Sequence, residues 1–223
     1  MERSEQIPLM ADIYKLAKLV IAYLGESREH SPAGIEILSY LSGESDFDDN
    51  APWSRLSDSE VLHSIDDIIQ RPYFERLWVV QEAALAQRIE MRVGMNSLAW
   101  STGSATRRFL ARIKLFELSP TWSERVDLRP LRELLDQSLA DKARRNNTVE
   151  LPSLLDIVHS VRHRKVVDRR DTLYGVMSLA NPADIANLVV DYTESWEETY
   201  RRFFHLAQEQ VTSHPESTLA DMR

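Results

Sequence analysis

The chain has no cysteine among its 223 residues, which excludes a disulfide scaffold, thiol catalysis and cysteine-bound zinc. Glycine is scarce at six, and no GxGxxG, P-loop or GxSxG pattern occurs, so a glycine-lined phosphate cradle is not expected. No apolar run approaches the roughly 18 residues of a membrane span, and the opening MERSEQIPLM lacks a signal-peptide core. Positive charge is in the minority. With 27 Lys and Arg against 35 Asp and Glu, the formal net charge is −8, a field that opposes nucleic acid or an anionic membrane as the main partner. What remains is a globular, cytoplasmic chain, 43% hydrophobic and large enough for one sizeable core.

Periodicity then orders the chain. Ile7, Met10, Tyr14 and Ala17 alternate spacings of three and four, predicting an amphipathic helix over Glu2 to Lys18. It leads into Leu19 to Leu24, an apolar run stopped by Gly25, which reads as a strand buried on both faces. Glu26 to Ser57 is irregular and reads as a surface insertion holding one short helix, Ile35 to Leu41, and an acidic patch at Glu44, Asp46, Asp48 and Asp49. Ser57 and Glu60 have capping-box spacing and open a helix with Val61, Leu62, Ile65, Ile68 and Ile69 on one face. Arg88 to Val93 is a second strand, and Ser97 to Leu118 a long helix weakened by Gly103. Helices follow at Leu128 to Ala140, Leu151 to Val161, Asp171 to Leu179 and Ser195 to Val211.

The most informative stretch is RPYFERLWVVQEAALA, Arg71 to Ala86. Trp78 and Glu82 are four apart and share a helix face, while Gln81 lies about 100° around the helix. A carboxylate beside large aromatics is costly to bury unless it is paired, hydrogen-bonded or kept for a task. Two readings of Glu82 stay open: a surface carboxylate paired with Arg76 or Arg88, or one bordering a cleft at the carboxyl edge of a parallel sheet.

Elsewhere, His159 and His163 have helical metal-ligand spacing, but the surrounding Arg162, Arg164 and Lys165 disfavour a cation, so no metal is expected. That basic run reads as a solvated helix end. Asp168-Arg169-Arg170-Asp171 precedes Tyr174-Gly175 and reads as a helix cap with a buried Arg–Asp pair.

Four ordered blocks carry a family resemblance: ERSEQIPLMADIYKLAKLVIAYLG, RPYFERLWVVQEAALA, DRRDTLYGVMSLA and DYTESWEETY. Over roughly residues 1 to 200 the chain resembles the fungal heterokaryon-incompatibility (HET) domain. The family pattern starts with strands and motifs of the form SYxWG and DxxCINQ, which would lie before Glu2. The resemblance thus implies an α/β fold: a TIR/flavodoxin-like parallel sheet truncated at the N-terminus, with a mainly helical C-terminal half. It implies a HET-like domain over 1–180, with an α/β core to about residue 100 and a helical extension beyond, and a helical segment over 181–223.

By the same resemblance the chain acts in fungal non-self recognition and programmed cell death, through protein partners or self-association, with no nucleic acid, membrane span or metal. TIR domains that cleave NAD place a tryptophan four residues before the catalytic glutamate. Glu82 is then the catalytic position, Trp78, Arg71, Arg76 and Gln81 the substrate-binding set, and Asp168, Arg170, Asp171 and Tyr174 a structural motif. NAD would be a substrate, with no cofactor required. The alternative is a non-enzymatic protein-interaction module or a degenerate paralogue.

Overall fold

The apolar run ahead of Gly25 forms a strand, Val20–Tyr23 (β1), but only alternate side chains are buried. The expectation of burial on both faces is corrected: Val20 and Ala22 enter the core, whereas Ile21 and Tyr23 are about half exposed, at 49% and 52%. The structure, a computed structural model, describes residues 2–43, 51–100, 104–122, 125–145 and 151–213. β1 pairs in parallel with Ile89–Val93 (β2), with Val20 opposite Ile89 and Tyr23 opposite Arg92. β2 pairs antiparallel with Asn96–Trp100 (β3), giving a mixed sheet of order β1-β2-β3. Val20, Ala22, Met91 and Leu98 join the core from one face. The other face shows Ile21, Tyr23, Glu90, Arg92, Ser97 and Ala99, which are exposed or half-buried. Helical cover on one face only is the physical reason for the alternation.

The helix expected from Ser97 is also corrected, because Asn96–Trp100 return as a hairpin. Gly94 and Met95 make its two-residue turn, and Gly94 has a positive φ of 54°, which glycine adopts without steric penalty. The helix itself starts later, as Ser104–Glu117 (α5 in chain order). Gly103 and the acidic patch from Glu44 to Asp49 lie outside the described residues.

Helix α1 (Glu2–Leu16) is followed, after β1, by α2 (Ser31–Ser42), α3 (Asp58–Ile69) and α4 (Trp78–Leu85). The short helix expected at Ile35 to Leu41 is present within α2, and it belongs to the core rather than to a surface insertion: Ile37, Leu38 and Leu41 are fully buried. Gly34 makes that packing possible, since a Cβ there would stand 2.2 Å from the Ser64 carbonyl oxygen of α3. The Ser57 capping box is complete: the Glu60 amide donates to Ser57 Oγ at 3.3 Å and the Ser57 amide to Glu60 Oε2 at 2.8 Å. The buried stripe of α3 is Val61, Ile65, Ile68 and Ile69, at the helical spacing expected.

The helical half continues with α6 (Arg129–Arg145), α7 (Leu154–Val161), α8 (Asp171–Tyr174), α9 (Pro182–Ile185) and α10 (Trp196–Ser213). α6 packs on α4 and contributes Leu131, Leu134 and Leu135, all fully buried. Beyond α7 the chain runs beside the start of α4, with Lys165 N–H donating to Glu75 O at 2.7 Å and Leu77 N–H to Lys165 O at 3.1 Å. This bridge revises the basic run. Arg162, His163 and Lys165 are exposed as expected, but Arg164 turns inward and donates to the Phe74 carbonyl. No helix among the described residues is long and apolar enough to cross a membrane.

Candidate functional site around Glu82

Arg71 to Ala86 is not one continuous helix. Pro72–Glu75 form a single tight turn, Arg76 is extended with ψ 140°, and α4 begins at Trp78. The backbone pairing with Lys165 accounts for the break, because it takes the carbonyl of Glu75 and the amide of Leu77.

Arg71 sits 2% exposed at the carboxyl end of β1 and spends every N–H on the protein itself. Nε donates to Asp67 O at 2.8 Å, Nη1 to Leu24 O and Glu26 O at 2.9 Å each, and Nη2 to Ser31 Oγ at 2.9 Å and Asp67 Oδ2 at 3.2 Å. Burial alone would raise the Asp67 carboxyl, but the Ser31 hydroxyl and the Arg71 guanidinium hold it below the usual carboxylate range. Asp67 lies in the last turn of α3, and Arg71, extended just past the helix end, folds back onto it four residues away. Nothing in the sequence announces Ser31 as the third member.

Glu82 is half-buried, and its carboxylate accepts from the Tyr73 hydroxyl at 3.1 Å, with the Tyr14 side chain of α1 close enough to act on its charge. Burial raises the Glu82 pKa, and the opposing pull of Tyr73, Arg76 and Tyr14 does not cancel it. Tyr14 is in turn pushed up to about 12 by burial and the neighbouring Glu82 charge. Burial also raises Tyr73, with Glu82 the second cause. Arg76 is exposed beside this group and acts on it through charge. The two tyrosines lie within the resemblance blocks, but helical spacing could not pair them with Glu82: Tyr73 precedes the break and Tyr14 belongs to another helix.

Gln81 points the other way. It is buried, and its Nε2 donates to Ser178 Oγ at 2.7 Å, while Oε1 has no hydrogen-bond partner among the described residues. Trp78 packs into a cluster built on Ile7, Leu173 and Tyr174, with Met10 and Tyr192 around it. That cluster is where the four sequence blocks meet: α1, α4, α8 and the segment before α10 each contribute to it. Asp168 and Arg170 form a two-point pair, Nε to Oδ1 at 2.9 Å and Nη2 to Oδ2 at 2.7 Å. Arg170 Nη1 reaches on to Tyr192 O and Glu194 O at 2.8 and 2.6 Å. Asp171 accepts from the Tyr192 hydroxyl, and the Tyr174 hydroxyl accepts from the Asp191 amide at 3.2 Å. The expected helix cap is corrected: the residue that precedes α8 is Arg170, with no side-chain cap, and Asp168 instead accepts from the Arg170 amide at 3.0 Å.

Two surface cavities lie away from Glu82. One of about 460 Å³ is lined by Glu75, Asp127, Arg129, Glu133, His163 and Arg164 among others, and one of about 380 Å³ follows α10 near Glu194 and Arg202. His163 pairs with Glu133 at 3.0 Å, and no group of His, Asp or Glu able to hold a metal ion occurs among the described residues.

The Glu82 environment sets a pH dependence. A carboxyl whose folded pKa is raised subtracts stability while ionised, and that penalty is relieved as pH falls through the folded value. Glu82→Gln keeps an acceptor for the tyrosines and removes the buried charge. Thermal melts should therefore place Glu82→Gln above the wild type at pH 8, with the gap closing as the pH is lowered toward 4.5.

Residues 1–82 match the family model described as heterokaryon incompatibility protein (HET). The chain is 24% identical, over 234 aligned positions, to heterokaryon incompatibility protein 6, OR allele, of Neurospora crassa. That alignment covers 87% of this chain and 34% of the relative, so the chain spans about a third of the length of the curated protein it matches. No solved structure matches.

Proposed function

We propose, taking this as a HET-family protein on the match of residues 1–82, that the chain serves fungal non-self recognition as an interaction module. Glu82 then acts as a clasp between α1 and α4 rather than as a catalytic group. The observation that carries this reading is the Tyr73 hydroxyl that already ends on the Glu82 carboxylate at 3.1 Å, with Tyr14 of α1 drawn up beside the same group. Trp78, which would have to wall a nucleotide pocket, supports it by packing into the Ile7–Tyr174 cluster, and Arg71 by having no N–H left for a pyrophosphate. In this role the chain is cytoplasmic and works through protein partners.

A second reading follows from one feature, the raised Glu82 carboxyl beside the exposed Arg76 guanidinium. In a TIR-like site the carboxylate would hold the ribose hydroxyls and stabilise positive charge on the anomeric carbon as nicotinamide leaves, while Arg76 met the pyrophosphate. Glu82→Gln separates the two, because it retains the clasp and removes the charge that the chemistry requires. Fungal cells expressing the wild type or Glu82→Gln would be fused with an incompatible strain, and the purified proteins assayed for nicotinamide release from NAD. Equal death of fused cells with both proteins, and no release by either, is the expected result. Release by the wild type that Glu82→Gln abolishes, together with loss of cell death, would replace the interaction module by the enzyme.

A further inference from the structure

The neighbours Arg169 and Arg170 are engaged in different ways. Arg170 gives its guanidinium to Asp168 and to the carbonyls of Tyr192 and Glu194. Arg169 is exposed, and its side chain makes no hydrogen bond or ion pair among the described residues. It is held in place all the same. Its guanidinium carbon lies over the Trp196 ring, 4.5 Å from the centre, and its backbone carbonyl accepts from the Tyr200 hydroxyl at 3.1 Å. Trp196 and Tyr200 meet edge to face at 6.0 Å. The two rings are one helical turn apart on α10, and Phe204, 59% exposed, continues the stripe a turn further on.

Stacking on an indole occupies one face of a guanidinium and leaves its N–H edge open to an acceptor in the same plane. Holding the fork in advance also lowers the side-chain entropy that a new ion pair must overcome. Arg, Trp and Tyr are the residue types that dominate binding energy where they cluster in an interface. We propose that Arg169, with the stripe of Trp196, Tyr200 and Phe204, is the docking site for a segment of a protein partner in which a single Asp or Glu adjoins a large apolar side chain. The carboxylate takes two parallel N–H bonds from Arg169, and its apolar neighbour covers the aromatic stripe. Charge complementarity selects this occupant. One unpaired guanidinium balances one carboxylate, whereas a phosphoryl dianion would leave charge uncompensated close to the exposed Glu197. The net charge of −8 opposes a polyanion for the same reason. The assignment rests on the interaction-module reading and gives that module a point of contact.

Selection of a random peptide library, displayed on phage, against the full chain tests it. Enriched peptides should set Asp or Glu beside Leu, Phe or Trp. Once synthesised, they should bind Arg169→Gln about 30-fold more weakly than the wild type, and Phe204→Ala about 10-fold more weakly. Arg169→Lys keeps the charge but loses the flat fork, and should stay about 10-fold weaker. The Arg169 side chain is exposed, so both of its variants should melt with the wild type. No enriched peptide, enrichment without an acidic residue, equal binding by wild type and Arg169→Gln, or tighter binding when phosphoserine replaces the acidic residue would overturn the proposal. So would a wild-type dimer in sedimentation that Arg169→Gln dissolves, since the face would then belong to a second copy. Peptide binding is read without cell death, whereas the cell-fusion assay tests the module reading itself, so the two can fail separately.

Discussion

Replacing Arg71 by alanine is expected to destabilise the fold by about 3–5 kcal/mol, the range for breaking a buried charged network by removing one member. The loss is large because the guanidinium serves two carbonyls far away in sequence, those of Leu24 and Glu26, as well as Ser31 and Asp67. The two carbonyls lose their side-chain donor, and Asp67 is left with only Ser31 and the exposed Arg28, in a site that admits almost no water, since Arg71 is only 2% exposed. Arg71→Lys should recover little, because an ammonium cannot span carbonyls on one side and a carboxylate on the other with a flat five-donor fork. Denaturant titration gives the measurement. The double change Arg71→Ala with Asp67→Ala should cost less than the sum of the two singles, since the pair shares one network. Additive losses would mean that the contacts are independent.

Gly34→Ala carries the second large effect, and here two terms of opposite sign compete. Alanine is favoured over glycine within a helix by about 1 kcal/mol, which argues for stabilisation. Against it, the new methyl would stand 2.2 Å from the Ser64 carbonyl oxygen and 2.7 Å from Ile68 Cγ1. A backbone carbonyl cannot swing aside, so α2 and α3 must separate, and overpacking of that kind costs about 1–3 kcal/mol or more. Packing wins, with a net loss of about 2 kcal/mol and a melting temperature lower by roughly 4–8 °C for a chain of this size. Gly43→Ala serves as the control, because its nearest heavy atom would be 3.3 Å away at the end of the same helix. Equal losses at the two positions would remove the helix–helix contact as the cause.

Local chemistry made some of this architecture readable and left the rest out of reach. The Ser57–Glu60 box is a four-residue device, and the apolar stripe of α3 repeats every turn, so both could be seen without any partner. β3 escaped because Ser97-Leu98-Ala99 suits a helix as well as a strand, and only the turn at Gly94 and Met95 tips it into a hairpin. The helix at Ile35 to Leu41 is legible in the sequence, but its place in the core is not, because that depends on Gly34 meeting a helix some thirty residues later. Around Glu82, the sequence shows that Glu82, Trp78 and Gln81 are polar and aromatic groups carried by an apolar helix. Their neighbours Tyr14, Tyr174 and Ser178 come from two distant segments, α1 and the stretch after Asp168, which no single window of sequence contains. The exposed face of β1 depends on how many helical layers cover the sheet, a property of the whole chain rather than of the strand.

The meeting of four distant blocks on one aromatic cluster also sets a schedule for the nascent chain. Tyr192 N–H donates to Ser4 Oγ at 3.3 Å, and Arg3 lies 5.2 Å from the centre of the Tyr192 ring, so the earliest and among the latest of the described segments close on each other. At about 5–20 residues per second, roughly 10–40 seconds separate the synthesis of Ile7 from that of Tyr192. Through that interval Ile7, Met10 and Trp78 have no Tyr174 or Tyr192 to cover them. A ribosome-bound chain stalled before Tyr174 would present that apolar surface to chaperones, and release of the last block would withdraw it.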